Sequence, residues 1–110
     1  MRQADILYKG EVAGLLTQHN DGTFSFTYNE AWMSNSQKPA VSLTLPKITR
    51  PYHSETLFPA FINMLPEGFN KQIICKSLRI DENDYFGLLL NVAEHDAIGA
   101  ITVKRTADSA

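Results

Sequence analysis

One cysteine in 110 residues, Cys75, leaves nothing for an intramolecular disulfide, which suits a reducing compartment better than a secreted life. No apolar run is long enough to span a bilayer, so no membrane partner is expected. The opening Met1-Arg2-Gln3-Ala4-Asp5 is polar where a signal peptide would turn apolar, and a cytoplasmic location is the expectation. Basic clusters are missing too. Ten Lys+Arg face twelve Asp+Glu for a net charge of -2, and Lys38, Lys47, Arg50, Lys71, Lys76, Arg79, Lys104 and Arg105 are scattered. Direct nucleic-acid binding is therefore disfavoured. The six glycines stand singly, so there is no loop to cradle a phosphate, and neither Gly-x-Ser-x-Gly nor His-Glu-x-x-His occurs. No cofactor is expected. The length excludes a protein kinase, a doubly wound dinucleotide enzyme and a TIM barrel, each of which needs roughly twice as many residues or more.

What remains is ample apolar material: 44% hydrophobic residues and 10% aromatic. Surface scaling gives roughly 6,100 Å² folded against roughly 17,800 Å² unfolded, enough burial for one core. Residues 1–110 are expected to form a single domain, with no repeat, linker or low-complexity stretch. Ile6-Leu7-Tyr8, a turn at Lys9-Gly10-Glu11 and Val12 to Leu16 read as a hairpin, with Gly14 marking a bulge or a close backbone approach. Asn20-Asp21-Gly22 is the strongest turn signal. Thr23 to Tyr28 then alternates, placing Phe24, Phe26 and Tyr28 on an inner face. Asn29 can cap one helical turn through Met33. Val41 to Leu45 alternates again and stops at Pro46, predicting another strand, with Arg50-Pro51-Tyr52 as loop.

The second half reads as helical. Ser54 or Thr56 is placed to cap a helix with Pro59 in its first turn and an apolar face running from Leu57 to Leu65. Pro66-Glu67-Gly68 breaks it. A second helix follows to about Leu78 with Phe69, Ile73, Ile74 and Leu78 as its stripe. Asp81, Glu82 and Asp84 suit the start of a third, striped by Phe86, Leu89, Leu90 and Ala93. Gly99 to Val103 reads as a returning strand, and Thr106 to Ala110 as a frayed tail. The predicted fold class is α+β: a small antiparallel sheet, made of an N-terminal meander and a C-terminal returning strand, packed against about three helices.

Chemical equipment is sparse. His19, His53 and His95 lack metal-ligand spacing, so no metal site is predicted. Glu94-His95-Asp96 is the densest polar cluster and could support a small proton-transfer enzyme, although a solvated turn explains it more simply. Cys75 reads as a small buried thiol. Phe24, Phe26 and Tyr28 lack interleaved cations and read as core rather than base-stacking platforms. Trp32 and Phe69 stand at element boundaries, where large rings serve either as core plugs or as anchors for a partner. The residues alone describe a binder rather than an enzyme, with no catalytic group.

Phe61-Ile62-Asn63-Met64-Leu65-Pro66-Glu67-Gly68 resembles the Phe-x-Asn-Leu-Leu-Pro-Glu-Gly signature of the N-terminal subdomain of HipA-type kinase toxins. Other blocks keep the family's order: Tyr8 to Leu16 resembles its opening hairpin. Phe26-Thr27-Tyr28 with Trp32 and Ser42 to Pro46 are similar to the next two blocks, and Asp96-Ala97-Ile98-Gly99-Ala100 is similar to its Asp-Cys-x-Gly-Ala. Glu94 and His95 stand where glycines are common, and Ala97 replaces the cysteine. In that family the ATP-binding and catalytic residues lie in a following kinase core. A tripartite arrangement, HipBST, encodes the subdomain separately as HipS-like antitoxins.

This resemblance implies a bacterial antitoxin that binds a HipT-like Ser/Thr kinase toxin, within a larger complex that includes a DNA-binding HipB-like protein. The partner-binding residues expected are Pro66, Glu67, Gly68, Phe69 and Trp32, with the bend presenting Phe69 near the kinase cleft. The alternative is a non-catalytic N-terminal fragment of a longer HipA-type kinase, structural in cis. A DNA-binding accessory is the third reading and conflicts with the charge.

Overall fold

The computed structural model of the chain describes residues 1–63, 65, 68–95 and 101–106, with side chains for all of these except 68–70 and 92–95. Five antiparallel strands make one sheet: β1 (Arg2–Tyr8), β2 (Glu11–Gln18), β3 (Phe24–Tyr28), β4 (Tyr52–Ser54) and β5 (Ile101–Arg105), in the order β4-β3-β2-β1-β5. The helices are α1 (Glu30–Ser34), α2 (Pro59–Ile62), α3 (Gly68–Leu78) and α4 (Tyr85–His95). The α+β class, the meander and the returning strand are as expected. β5 lies against β1, pairing Ile6 with Val103.

The hairpins follow from local chemistry. Lys9 (φ 50°) and Gly10 (φ 86°) both take the left-handed conformation that matches the twist of a two-residue hairpin turn. At the next turn Gly22 has φ 88°, and the Asp21 carboxylate accepts bonds from the Thr23 N–H (3.0 Å) and hydroxyl (2.6 Å). Both features proposed for Gly14 occur. Register slips between Ile6↔Gly14 and Leu7↔Val12, leaving Ala13 as the extra residue of a bulge. A Cβ at Gly14 would lie 2.7 Å from both the Phe26 ring and the Thr27 carbonyl oxygen.

The core lies on the sheet face that carries Phe24, Phe26 and Tyr28, all buried. Phe24 stacks on Phe86 of α4 (centroids 6.4 Å) and Phe26 meets Phe61 of α2 (5.7 Å). Phe86, Leu88, Leu89 and Leu90 are all buried, so α4 is covered on a wider face than a single stripe provides. Asp84 caps it: the carboxylate accepts the Gly87 N–H (3.1 Å) and two bonds from the Nη1 and Nη2 of Arg2, whose Nε donates to the Gln18 side-chain oxygen (2.7 Å). The first strand is thereby tied to the last described helix. Among the described residues no helix is long and apolar enough to cross a membrane.

Four expectations need correction. Val41 to Leu45 is not a strand. It is a tight turn closed by Leu45 N–H to Ser42 C=O (3.1 Å) and by Thr44 N–H to the Ser42 hydroxyl (3.2 Å). Local side-chain bonds and the Tyr28 hydroxyl satisfy the groups that a sheet ladder would have used. The fourth strand instead falls on Tyr52–Ser54, read above as loop and cap, which pairs with Phe24 to Phe26. The Ser54 hydroxyl holds the Thr56 N–H (3.2 Å) in a local turn, so helix α2 starts only at Pro59 and lasts one turn, with no side-chain cap. Among the described side chains of α3, Cys75 is buried and Ile74 of the expected stripe packs partly buried against the core, whereas Ile73 and Leu78 are each about half exposed. Those two lie about 140° apart on a helix and cannot share a narrow face.

Helix α3 ends in a Schellman motif without glycine. Arg79 takes φ 56°, with Ile80 N–H bonded to Cys75 C=O (2.9 Å) and Arg79 N–H to Lys76 C=O (3.4 Å). This wraps Ile80 back toward Cys75 and sets which face of α3 packs.

Candidate interaction site

Trp32 is placed by α1. Asn29 caps that helix by accepting the Ala31 N–H (2.9 Å), and the single turn brings the indole against Tyr8 on β1 (ring centroids 5.7 Å, tilted). Trp32 is 4% exposed, and its indole N–H donates to the Pro39 carbonyl (2.8 Å). The Lys38 ammonium lies 5.2 Å from the Trp32 ring centroid and is ion-paired with Glu11. Around these groups sits a surface hollow of about 450 Å³, lined by Tyr8, Lys9, Glu11, Trp32, Gln37, Lys38 and Pro39. Trp32 thus forms a wall rather than a protruding anchor.

The other expected contact residues are Pro66, Glu67, Gly68 and Phe69. Pro66 and Glu67 lie outside the described residues. Gly68 and Phe69 open α3, with the Phe69 side chain outside the description. Further along that helix Gln72, Ile73 and Lys76 are exposed. The cluster Glu94-His95-Asp96 also falls outside: the first two residues end α4 without described side chains, and Asp96 is not described. Cys75 is buried (3% exposed), as expected for a structural thiol. His19 approaches the hydroxyl of Ser25, buried on the opposite sheet face, at 3.0 Å. Among the described residues no group of three His, Cys, Asp or Glu side chains could hold a metal ion.

Sequence reasoning missed the segment that builds the hollow. Residues 35–47 are pinned by side chains reaching backbone groups. Tyr28 donates its hydroxyl to Leu45 C=O and accepts the Val41 N–H (3.0 Å), and Tyr52 donates to Pro46 C=O (2.6 Å). Lys47 donates to Asn35 C=O (2.7 Å) and Lys38 C=O (2.8 Å). Burial pushes the Tyr28 hydroxyl above its ordinary pKa, so it stays protonated and able to donate. Two prolines, Pro39 and Pro46, bracketing a short apolar run were the available signal for such a loop.

Comparison with known proteins agrees with this architecture. A family model described as HipA N-terminal domain matches residues 4–104. An uncharacterized protein of Haemophilus influenzae is 38% identical over 104 residues, covering 94% of this chain and 92% of that protein. Two Sinorhizobium fredii proteins named as candidate kinases, Y4mE and Y4dM, are 28% and 34% identical over 81% and 90% of this chain. The chain spans only 21% and 25% of their lengths. A solved structure described as the N-terminal domain of HipA toxin superposes with a TM-score of 0.72 at 33% identity, covering 99% of this chain and 96% of that one. The chain belongs to the HipA N-terminal domain family.

Proposed function

We propose that this chain acts as a HipS-like antitoxin: it binds a HipT-type Ser/Thr kinase toxin and neutralises it by protein–protein contact at or near the kinase's active-site cleft, without catalysis of its own. The observation that carries this reading is that the same domain, nearly end to end, is a protein in its own right in Haemophilus influenzae. A domain that stands by itself in a relative, and whose sequence carries no catalytic motif, is read here as working by what it touches. The fold suits that work, because a binder needs a rigid frame and a shaped, mostly apolar patch with a few anchors. Burying roughly 800 Å² per partner is the ordinary requirement, a modest share of the 6871 Å² of accessible surface here.

In this reading the Pro66–Phe69 segment, whose last two residues open α3, supplies the anchor and Trp32 walls a further part of the contact surface. Exposed Ile73, one turn after Phe69, extends the apolar contact. The two Sinorhizobium fredii matches favour a second reading, in which the domain supports a longer kinase in cis.

Co-expression with a HipT-type kinase core separates the two readings. Rescue of growth together with co-purification is the expected result, and neither occurring refutes the antitoxin role. Phe69→Ala then locates the anchor: the expected loss of affinity is about thirtyfold or more at an unchanged melting temperature. Retained neutralisation with a melting temperature several degrees lower would make Phe69 a core residue instead.

A further inference from the structure

Leu43 is 100% exposed at the apex of the Ser42–Leu45 turn, while Leu45 two residues later is 2% exposed. A single exposed leucine means little. This one adjoins a second hollow of about 500 Å³, walled by Tyr8, Pro39, Val41 and Pro46. Tyr8 and Pro39 belong to both hollows, so the two form one continuous surface. The turn cannot fold Leu43 inward, because Tyr28, Tyr52 and Lys47 hold the backbone on either side of it.

The charge around this surface selects its occupant. Lys9 and Lys38 line this surface against Glu11, and Lys47 is bonded behind it to the Lys38 carbonyl. Lys38 is taken by Glu11, and Lys47 by two carbonyls. Lys9, 5.8 Å from the Tyr8 ring centroid, has no carboxylate within ion-pair distance among the described residues. A second copy packed by this same face would bring Lys9 against Lys9, whereas a partner with carboxylates beside an apolar socket is attracted.

We infer that the surface formed by Leu43 and the Tyr8–Pro39 hollow is a second docking site for the kinase partner, which meets it with an apolar socket bordered by carboxylates. This rests on the antitoxin reading and adds to it a contact separate in sequence from the Pro66–Phe69 bend. Leu43 enters the socket, and Lys9 pairs with an acidic side chain at its edge.

The test is calorimetric binding of a catalytically inactive HipT-type kinase core to the wild-type, Leu43→Asp and Lys9→Glu chains at two ionic strengths, with thermal melts of each chain alone. Leu43→Asp is expected to weaken binding about thirtyfold. Lys9→Glu should weaken it about fivefold and flatten the salt dependence. Neither should shift the melting temperature by more than about 2 °C, since both side chains lie at the surface. Wild-type binding that Leu43→Asp leaves intact overturns this inference and spares the antitoxin reading. No wild-type binding overturns both. Sedimentation showing a wild-type dimer that Leu43→Asp dissolves would make a second copy the occupant and equally overturn it.

Discussion

Tyr28→Phe removes one oxygen and should do so at unusual cost. The Tyr28 side chain is 5% exposed, and its hydroxyl is bonded on both sides, donating to Leu45 C=O and accepting Val41 N–H at 3.0 Å. The ring itself is kept, including its edge-on packing against Phe26 at 4.9 Å between centroids. The loss is therefore two polar groups without a partner. A buried group left unsatisfied costs about 1–3 kcal/mol. Leu45 is buried and bears most of that, whereas Val41 is half-buried and water can reach its N–H. The sum is about 2 kcal/mol, or about 8–16 °C in melting temperature for a domain near this size. Urea denaturation followed by circular dichroism measures it, with an unchanged m-value showing that the rest of the fold persists. Amide exchange at Val41 should quicken in parallel. A change below about 0.5 kcal/mol would refute the reasoning, because the remaining tethers and apolar contacts would then hold loop 39–46 without the Tyr28 hydroxyl.

Two further perturbations test the frame. Gly14→Ala puts a methyl 2.7 Å from both the Phe26 ring and the Thr27 carbonyl, and should cost about 1–3 kcal/mol in chemical denaturation; a change within 0.5 kcal/mol would mean that β2 and β3 separate freely there. Hydrogen bonds from Arg2 hold the Asp84 carboxyl below the usual aspartate range, so the folded state gains stability above the unfolded aspartate value near 4 and loses it as pH falls through the depressed folded value. The pair is one-third exposed, which limits the gain to under about 1 kcal/mol; Asp84→Asn should show a smaller fall in melting temperature between pH 5 and 3 than wild type, and parallel curves would show the ion pair to be inert.

Much of the frame could be read from short-range chemistry. The turns at Gly10 and Gly22, the Asn29 cap, the inward face of β3 and the Asp84 carboxylate at the head of α4 each depend on residues within four positions of one another. The misreadings share a different cause. Val41, Leu43 and Leu45 alternate as a strand should, yet Tyr28, 13 and 17 residues from the groups it binds, and Tyr52, 6 residues from its partner, hold that segment as a turn. Once it is held there, the place beside β3 goes to Tyr52–Ser54. The end of α3 carries no glycine to announce its left-handed residue, so the wrap of Ile80 onto Cys75, and with it the packed face of the helix, could not be seen from spacing. Trp32 could be picked out as a boundary aromatic. What it builds could not, since Tyr8, Lys38 and Glu11 converge on it only after the sheet closes.

The same tethers bear on affinity. A loop that must be ordered on binding spends part of its contact energy on that ordering, about 0.5–1.5 kcal/mol for each immobilised side chain. Here the ordering has been done during folding: six side-chain-to-backbone bonds, from Trp32, Tyr28, Tyr52 and Lys47, fix residues 35–47 before any partner arrives. Leu43 is thus presented at little entropic cost, and its exposure is offset by the folding energy of tyrosines elsewhere. The consequence separates two kinds of variant. Leu43→Asp should remove the inferred contact and leave the fold untouched. Tyr28→Phe leaves the contact in place, lowers stability and weakens binding by loosening the loop. If binding and stability moved together in both variants, Leu43 would be part of the core and not of the interface.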